Sequence, residues 1–213
     1  MKTSIYMLVF VALFFTACTG GSNETNHSDI KEMNHPMDEH NHGNHGDHDH
    51  GDHDHGSKST EKRNISATNN KNSATNGIIE GYIAIKNGLV EDDQLAAAKG
   101  AKMLLSAMSK FDMSTVSKDV HMEFMDIFNN AKENAEHISK NPIDHQREHF
   151  EDLSTDINDM IALVGTAKKL YQDFCPMAND GKGAIWISEI ENIRNPFFGS
   201  KMMKCGKIQK EFN

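Results

Sequence analysis

Residues 143–164 read IDHQREHFEDLSTDINDMIALV, and the pattern of side chains in this stretch decides the fold class. One face repeats every three or four positions, which is the spacing of an α-helix. Asn141 and Pro142 precede it, a capping residue and a residue favoured at the first helical position. This face comprises Ile143, Gln146, Phe150, Leu153, Ile157, Met160 and Val164. The stretch therefore predicts an amphipathic helix with one side in a protein core.

Three similar patterns precede this stretch. The second opens with the acidic run that begins at Glu91, and the third follows Ser117, a residue suited to an N-cap. The apolar faces are Ile78, Tyr82, Ile85 and Leu89, then Ala97, Ala101, Leu104, Met108 and Phe111, then Val120, Phe124, Ile127, Ala131, Ala135 and Ile138. Four amphipathic helices with short connections predict an all-α protein, an up-and-down four-helix bundle over residues 77–170.

The pattern changes after Leu170. Residues 171–213 contain glycine, proline, aromatic residues and two cysteines, and turn-forming residues recur at Asn195, Pro196 and Gly199. We therefore expect a largely irregular C-terminal cap, with a short strand at residues 184–187 and room for a short β-hairpin.

The N-terminal residues 1–17 have the features of a targeting segment. A positive charge at Lys2 precedes an apolar stretch that is too short to span a bilayer. The following residues 15–18, FTAC, resemble the lipobox of bacterial lipoproteins, which implies cleavage before Cys18 and acylation of its thiol. We expect a lipid-anchored protein of the cell envelope, in the outer rather than the inner membrane. The alternative is an ordinary signal peptide with a free Cys18.

Nine of the thirteen histidines lie in residues 27–55. This segment is rich in Asp, Gly and Asn and has almost no apolar side chains, so we expect residues 18–76 to be a disordered tether and linker. Imidazole is a good ligand for Cu(II), Zn and Ni, which predicts metal binding by the tether. The alternative is a solvated linker or an affinity tag. The tether histidines are His27, His35, His40, His42, His45, His48, His50, His53 and His55.

The acidic charge of the chain belongs to the same region. The net charge is −9, and residues 1–57 contain nine acidic side chains against Lys2 and Lys31. Carboxylates beside the histidines add oxygen ligands and attract cations. No basic patch with interleaved aromatic residues occurs, so we expect no nucleic-acid partner.

Sulfur side chains cluster in two short segments near the C-terminus. Cys175 and Met177 lie in one, and Met202, Met203 and Cys205 lie in the other. Thiolates and thioethers are soft ligands that favour Cu(I), so the five residues form one candidate copper site. Two interpretations remain open, because the two cysteines can instead form a disulfide, with the methionines as core residues.

Four candidate ligands lie on the predicted helices. His145 and His149 are four residues apart and share a helix face, as do His121 and Met125. The first pair is able to bind one ion between two imidazoles, and the second pair is able to complete a site near the sulfur atoms. We expect His137 to be solvated and to have no role.

Two strings of residues resemble a known family. Residues 171–206 read YQDFCPMANDGKGAIWISEIENIRNPFFGSKMMKCG, and residues 144–154 read DHQREHFEDLS. Both are similar to a bacterial periplasmic family named domain of unknown function 3347, and the resemblance covers about residues 77–206. Such domains occur as small lipoproteins and as appendages of heavy-metal efflux adaptor subunits. The resemblance implies handling of copper or a related metal, with an efflux adaptor as a candidate partner.

The leading hypothesis is therefore a lipid-anchored, extracytoplasmic metal-binding protein that sequesters copper or delivers it to efflux. The alternative is an interaction module of an envelope complex, in which Cys175 and Cys205 form a structural disulfide. The chain has no glycine-rich phosphate loop, no nucleophile elbow and no HExxH, and we do not expect an enzyme.

Overall fold

The computed structural model describes residues 63–212, and four α-helices are the main elements of this part of the chain. Helix α1 spans Asn76–Val90, α2 spans Gln94–Met108, α3 spans His121–Ile138 and α4 spans Ile143–Val164. The predominantly helical class predicted from the sequence is confirmed. The predicted signal peptide, the lipidation of Cys18 and the nine tether histidines all lie outside the described residues.

Local capping sets the ends of the helices. The side chain of Asp93 accepts a hydrogen bond from the backbone N–H of Ala96, so α2 begins at Gln94 rather than at the acidic run before it. The preceding Asp92 has a φ of 57°, which turns the chain between α1 and α2. Pro142 precedes the first residue of α4, so that helix begins one residue later than expected.

Helices α1 and α2 form an antiparallel pair with closely spaced backbones. Glycines on each helix face the backbone of the other, with Gly81 against Leu104 and Gly100 against Ile85. A Cβ atom added at Gly81 would lie 2.5 Å from the Cα atom of Leu104. The close approach therefore depends on the missing side chains of these glycines.

The C-terminal region forms a three-stranded antiparallel sheet. Strand β1 spans Leu170–Cys175, β2 spans Ala184–Ser188 and β3 spans Lys207–Phe212, in the spatial order β2-β1-β3. The expected irregular cap with room for one short hairpin is therefore wrong in extent. Only Phe212 of β3 is buried, so this strand lacks the alternation of apolar and polar residues that identifies a half-buried strand.

Buried hydrogen bonds fasten the sheet to the helices. The hydroxyl of Tyr82 on α1 accepts the backbone N–H of Ile187 on β2 at 3.0 Å and lies 2.8 Å from the hydroxyl of Ser154 on α4. The side-chain amide of Gln172 on β1 donates to Oδ1 of Asn158 on α4. Helix α4 therefore packs against the sheet as well as against the other helices.

Residues 63–72, which we call the strap, precede α1 and contact α4. The guanidinium of Arg63 pairs with Asp156, and the backbone N–H of Thr68 donates to the carbonyl of Ala162 at 2.8 Å. Near the end of α4, the amide of Asn72 donates to a backbone carbonyl of the helix. No helix within residues 63–212 has both the length and the apolar character needed to cross a membrane.

We predict that Gly81→Ala lowers the free energy of unfolding by about 1–3 kcal/mol. The added methyl group overpacks the α1–α2 contact, and this cost exceeds the gain of about 1 kcal/mol in helix propensity. Urea unfolding of the full chain measures the change. Gly77→Ala is the matched control, because its Cβ would meet only the Cβ of Ala107 at 3.2 Å. Equal stability of the two variants would contradict the prediction.

Candidate metal centre

The end of α3 and the start of α4 bring three histidines together. Residues 139–142 connect the two helices, and the side-chain amide of Gln146 donates to the carbonyl of Ile138 at 2.9 Å. This short connection places the last turn of α3 beside the first two turns of α4. One ring nitrogen from each of His137, His145 and His149 lies within 4.8 Å of the other two. We call this group the histidine triad.

The rings of the triad are in direct contact. The centroids of the His137 and His149 rings are 4.1 Å apart in a stacked arrangement, and the ring of His145 meets His149 edge-on at 4.6 Å. The Nε2 atoms of His145 and His149 are 3.1 Å apart. All three residues are half-buried. The expectation that His137 is solvated is wrong, because the register of α3 against α4 places its ring on His149.

Polar neighbours hold the outer nitrogens of two of these rings. Nδ1 of His149 lies 2.9 Å from Oδ1 of Asn134, and Nδ1 of His145 lies 3.1 Å from a carboxylate oxygen of Glu148. The amide nitrogen of Asn134 faces Asp156, which fixes the orientation of this amide. Both Nδ1 partners present an acceptor oxygen, so the tautomer with a proton on each Nδ1 satisfies both contacts. In that tautomer, each Nε2 points a lone pair toward the other ring.

In this tautomer, a positive charge between the rings stabilises the contact. Two lone pairs at 3.1 Å repel each other unless a proton on one nitrogen or a shared cation lies between them. Two imidazole nitrogens on a tetrahedral zinc ion, each at 2.0–2.1 Å, are about 3.3 Å apart. A hydrogen bond from the outer nitrogen to a carboxylate or carbonyl oxygen is the usual arrangement around a metal-bound histidine. The triad is therefore able to hold either a proton or a metal ion.

A buried carboxylate lies behind the triad. Asp156 accepts hydrogen bonds from Arg63 at 2.9 Å and from the amide of Asn134 at 3.4 Å. Arg63 also donates to Asp159 at 3.0 Å. Burial raises the pKa of Asp156 to about 7, although the ion pair with Arg63 opposes the rise. The charge of this carboxylate therefore depends on the arginine of the strap.

The two cysteines form a second pair of candidate ligands. Cys175 is buried at the end of β1, Cys205 is half-buried before β3, and their sulfur atoms are 3.1 Å apart in the free-thiol form. Asn195 holds the second segment, because its amide donates to the carbonyl of Cys205 at 2.8 Å. The hydrogen bond with Cys175, together with burial, raises the pKa of the Cys205 thiol.

The distance between the two sulfur atoms lies between the values expected for a disulfide and for two thiolates that share a metal ion. A disulfide bond is 2.03–2.05 Å long, and two thiolates on a tetrahedral zinc ion are about 3.8 Å apart. A movement of about 1 Å or less reaches either state from 3.1 Å. Of the three methionines expected beside the thiols, Met177 and Met202 are exposed and Met203 is half-buried.

His121 and Met125, the second pair of candidate ligands on the helices, lie far from the triad. His121 is the first residue of α3, 16 positions before His137, which is about 24 Å along the helix axis. Met125 lies one turn further on. Across residues 63–212, the triad is the only group of three or more closely spaced His, Cys, Asp or Glu side chains. Neither His121 nor the two cysteines belong to such a group.

Sequence reasoning missed three residues of the triad and its surroundings. His137, Asn134 and Asp156 lie on α3 and α4 at positions that meet only when the two helices pack. The one available signal was the short connection between the helices, which predicts that the end of α3 lies beside the start of α4.

Comparison with known proteins finds one match, to a family model that covers part of the chain. A family model described as "Protein of unknown function (DUF3347)" matches residues 78–169, from α1 to the residue before β1. No curated protein and no solved structure matches the chain. The matched segment includes the triad, whereas Cys175 and Cys205 follow it.

We predict that oxidation of the Cys175–Cys205 pair raises the free energy of unfolding by about 3–4 kcal/mol. A disulfide that closes a loop of about 30 residues restricts the unfolded chain by this amount in the entropic model. Urea unfolding of a Cys18→Ser chain with and without a reductant measures the gain. A Cys18→Ser/Cys205→Ser chain is the control and should not respond to the reductant. No gain in an oxidised sample without free thiols would contradict the prediction.

Proposed function

We propose from the geometry of the chain itself that this protein binds metal ions outside the cytoplasm, with copper as its principal ion. The family model that matches residues 78–169 is described only as a protein of unknown function. The proposal assigns no catalytic step to the protein. It assigns the chain a role in sequestering a heavy metal or in delivering it to an efflux system.

The observation that carries the proposal is the histidine triad. The Nε2 atoms of His145 and His149 face each other at 3.1 Å, and His137 lies against them. Asn134 and Glu148 hold the outer nitrogens, so little reorganisation is needed before a metal ion binds.

Ligand type and number indicate which ions the triad favours. Imidazole suits copper, zinc and nickel, and divalent copper binds a given nitrogen site more tightly than its neighbours in the first transition row. Three protein ligands leave a further coordination position open on a four-coordinate ion. An open position allows ligand exchange, which suits a protein that takes up and releases its ion.

The tether and the lipid anchor extend this proposal. Residues 27–55 hold nine imidazoles and several carboxylates on one chain, which raises the local concentration of weak ligands near the folded domain. Acylation of Cys18 would keep both parts at a membrane. A heavy-metal efflux adaptor is the partner that this arrangement would serve.

The cysteine pair is the basis for a second proposed metal site, with softer ligands than the triad. Two thiols at 3.1 Å, with Met177 and Met203 close in sequence, offer the sulfur ligands that select Cu(I). An ion that binds both sulfurs displaces the proton of Cys205, whose pKa is raised by Cys175. Affinity for Cu(I) should therefore increase with pH.

An alternative function rests on the same sulfur distance. If Cys175 and Cys205 form a permanent disulfide, the sheet becomes a fixed surface and the domain acts as an interaction module. Thiol titration of the purified chain separates the two functions. Two free thiols that Cu(I) protects support the copper site, and a permanent disulfide supports the interaction module.

We predict that the chain without residues 27–55 binds one equivalent of Cu(II) through nitrogen ligands. His149→Ala should weaken this binding at least tenfold, because it removes the central ligand of the triad. Calorimetry measures the affinity, and electron paramagnetic resonance identifies the nitrogen ligands.

His121→Ala is the matched control for this prediction. It removes another half-buried histidine of the helical region, outside the triad, and should leave the affinity unchanged. Equal losses in the two variants, or no Cu(II) binding by the unsubstituted chain, would refute the triad as the metal site.

We also predict that deletion of residues 27–55 from the mature chain removes at least two equivalents of bound Cu(II) or Zn(II). Nine imidazoles are lost in this deletion, and metal ions bind the neutral form of imidazole. Capture by the tether should therefore fade below about pH 6.5, the ordinary pKa of histidine. A loss of less than two equivalents at pH 7.5 would argue against metal capture by the tether.

A further inference from the structure

A continuous set of hydrogen bonds connects the strap to the histidine triad. Arg63 donates to Oδ1 of Asp156, the amide nitrogen of Asn134 donates to Oδ2 of Asp156, and Oδ1 of Asn134 accepts from Nδ1 of His149. Asp156 and Asn134 therefore each use one side-chain atom to bond toward the strap and another to bond toward the triad. The set joins α3, α4 and the residues before α1.

Burial makes the members of this set depend on one another. The side chain of Asp156 is fully buried, and that of Arg63 is 18 % exposed. A buried carboxylate without its cation is costly, so docking of Arg63 favours the charged form of Asp156 and its loss disfavours that form. The charge of Asp156 in turn orients the amide of Asn134, which fixes the tautomer of His149.

We propose that docking of the strap and metal occupancy of the triad are coupled through Arg63, Asp156 and Asn134. A metal ion on Nε2 of His149 makes its Nδ1–H a stronger donor to Asn134, which strengthens the donation from Asn134 to Asp156 and hence the pairing with Arg63. This inference rests on the proposed metal function of the triad. It adds a mechanism by which the state of the folded site reaches the root of the N-terminal segment.

The position of Arg63 in the sequence indicates what this coupling would control. Arg63 follows His55, the last tether histidine, by eight residues. The strap is therefore the part of the folded domain that immediately follows the metal-binding tether. An occupied triad would hold the root of the tether against α4, and an empty triad would release it more readily.

A substitution series tests the first direction of the coupling. Asn134→Ala should weaken Zn(II) binding by about 10–100-fold, because it removes a direct hydrogen-bond partner of a ligand. Arg63→Gln acts through two further bonds and should weaken binding about threefold to tenfold, with partial rescue by Arg63→Lys. Lys168→Gln is the control, because it breaks an ion pair with Glu80 outside this set and should leave the affinity unchanged.

Each variant is measured as the full mature chain, with and without His149→Ala. Competition with a chromophoric zinc chelator gives both affinities, and the difference isolates the triad from the tether. Urea unfolding of every variant shows that it is folded. Arg63→Gln within twofold of the unsubstituted chain, in a protein whose zinc binding depends on His149, would overturn the coupling and leave the proposed function standing.

Hydrogen exchange tests the reverse direction, because coupling between two equilibria is reciprocal. Zn(II) should slow exchange of the backbone N–H of Thr68, which is bonded to Ala162, by the same threefold to tenfold factor. This protection should disappear in His149→Ala, although the tether is intact. No protection in a zinc-loaded triad would also overturn the coupling. Zinc affinity that is the same with and without His149→Ala would instead refute the triad as the metal site of the proposed function, and the coupling with it.

Discussion

The hydroxyl of Tyr82 joins three elements of the fold at one buried point. It bonds to Ser154 on α4 and accepts the backbone N–H of Ile187 on β2, while its ring stacks on Phe150 at 5.1 Å. Burial raises the pKa of Tyr82 far above the ordinary range, so the group remains a neutral hydroxyl that can serve both partners. Because these bonds cannot be replaced by water in the core, they fix the depth and rotation of α4 relative to α1 and the sheet.

Helix α4 is consequently the element on which both the histidine triad and the contact with the strap are built. The rotation that places Phe150 and Ser154 in the core places His145 and His149 against α3. The same helix presents Asp156 to the strap, so its polar residues serve different neighbours. An amphipathic helix of a simple bundle has one apolar face and one solvated face. Here part of the polar face is half-buried and hydrogen-bonded, which is the feature that indicates a site.

The two candidate metal sites differ in chemistry and in their support from the family match. The histidine triad lies within the residues matched by the DUF3347 model and uses borderline nitrogen ligands. The thiols of Cys175 and Cys205 lie beyond that match and are softer ligands, held by β1 and by the segment before β3. Both ligand sets suit copper, because imidazole binds its divalent form and thiolate selects its monovalent form, and zinc also accepts both.

The sequence by itself determined the helices, because a repeat of 3.6 residues and a few capping residues are local properties. It also predicted that His145 and His149 share a face, since a spacing of four residues aligns side chains within one helix. Only the tertiary structure decided that His137 completes the triad, that Arg63 reaches it through Asp156, and that β3 joins the sheet. Each of these depends on the register between separate elements, which packing sets over long distances in the chain and no local spacing encodes.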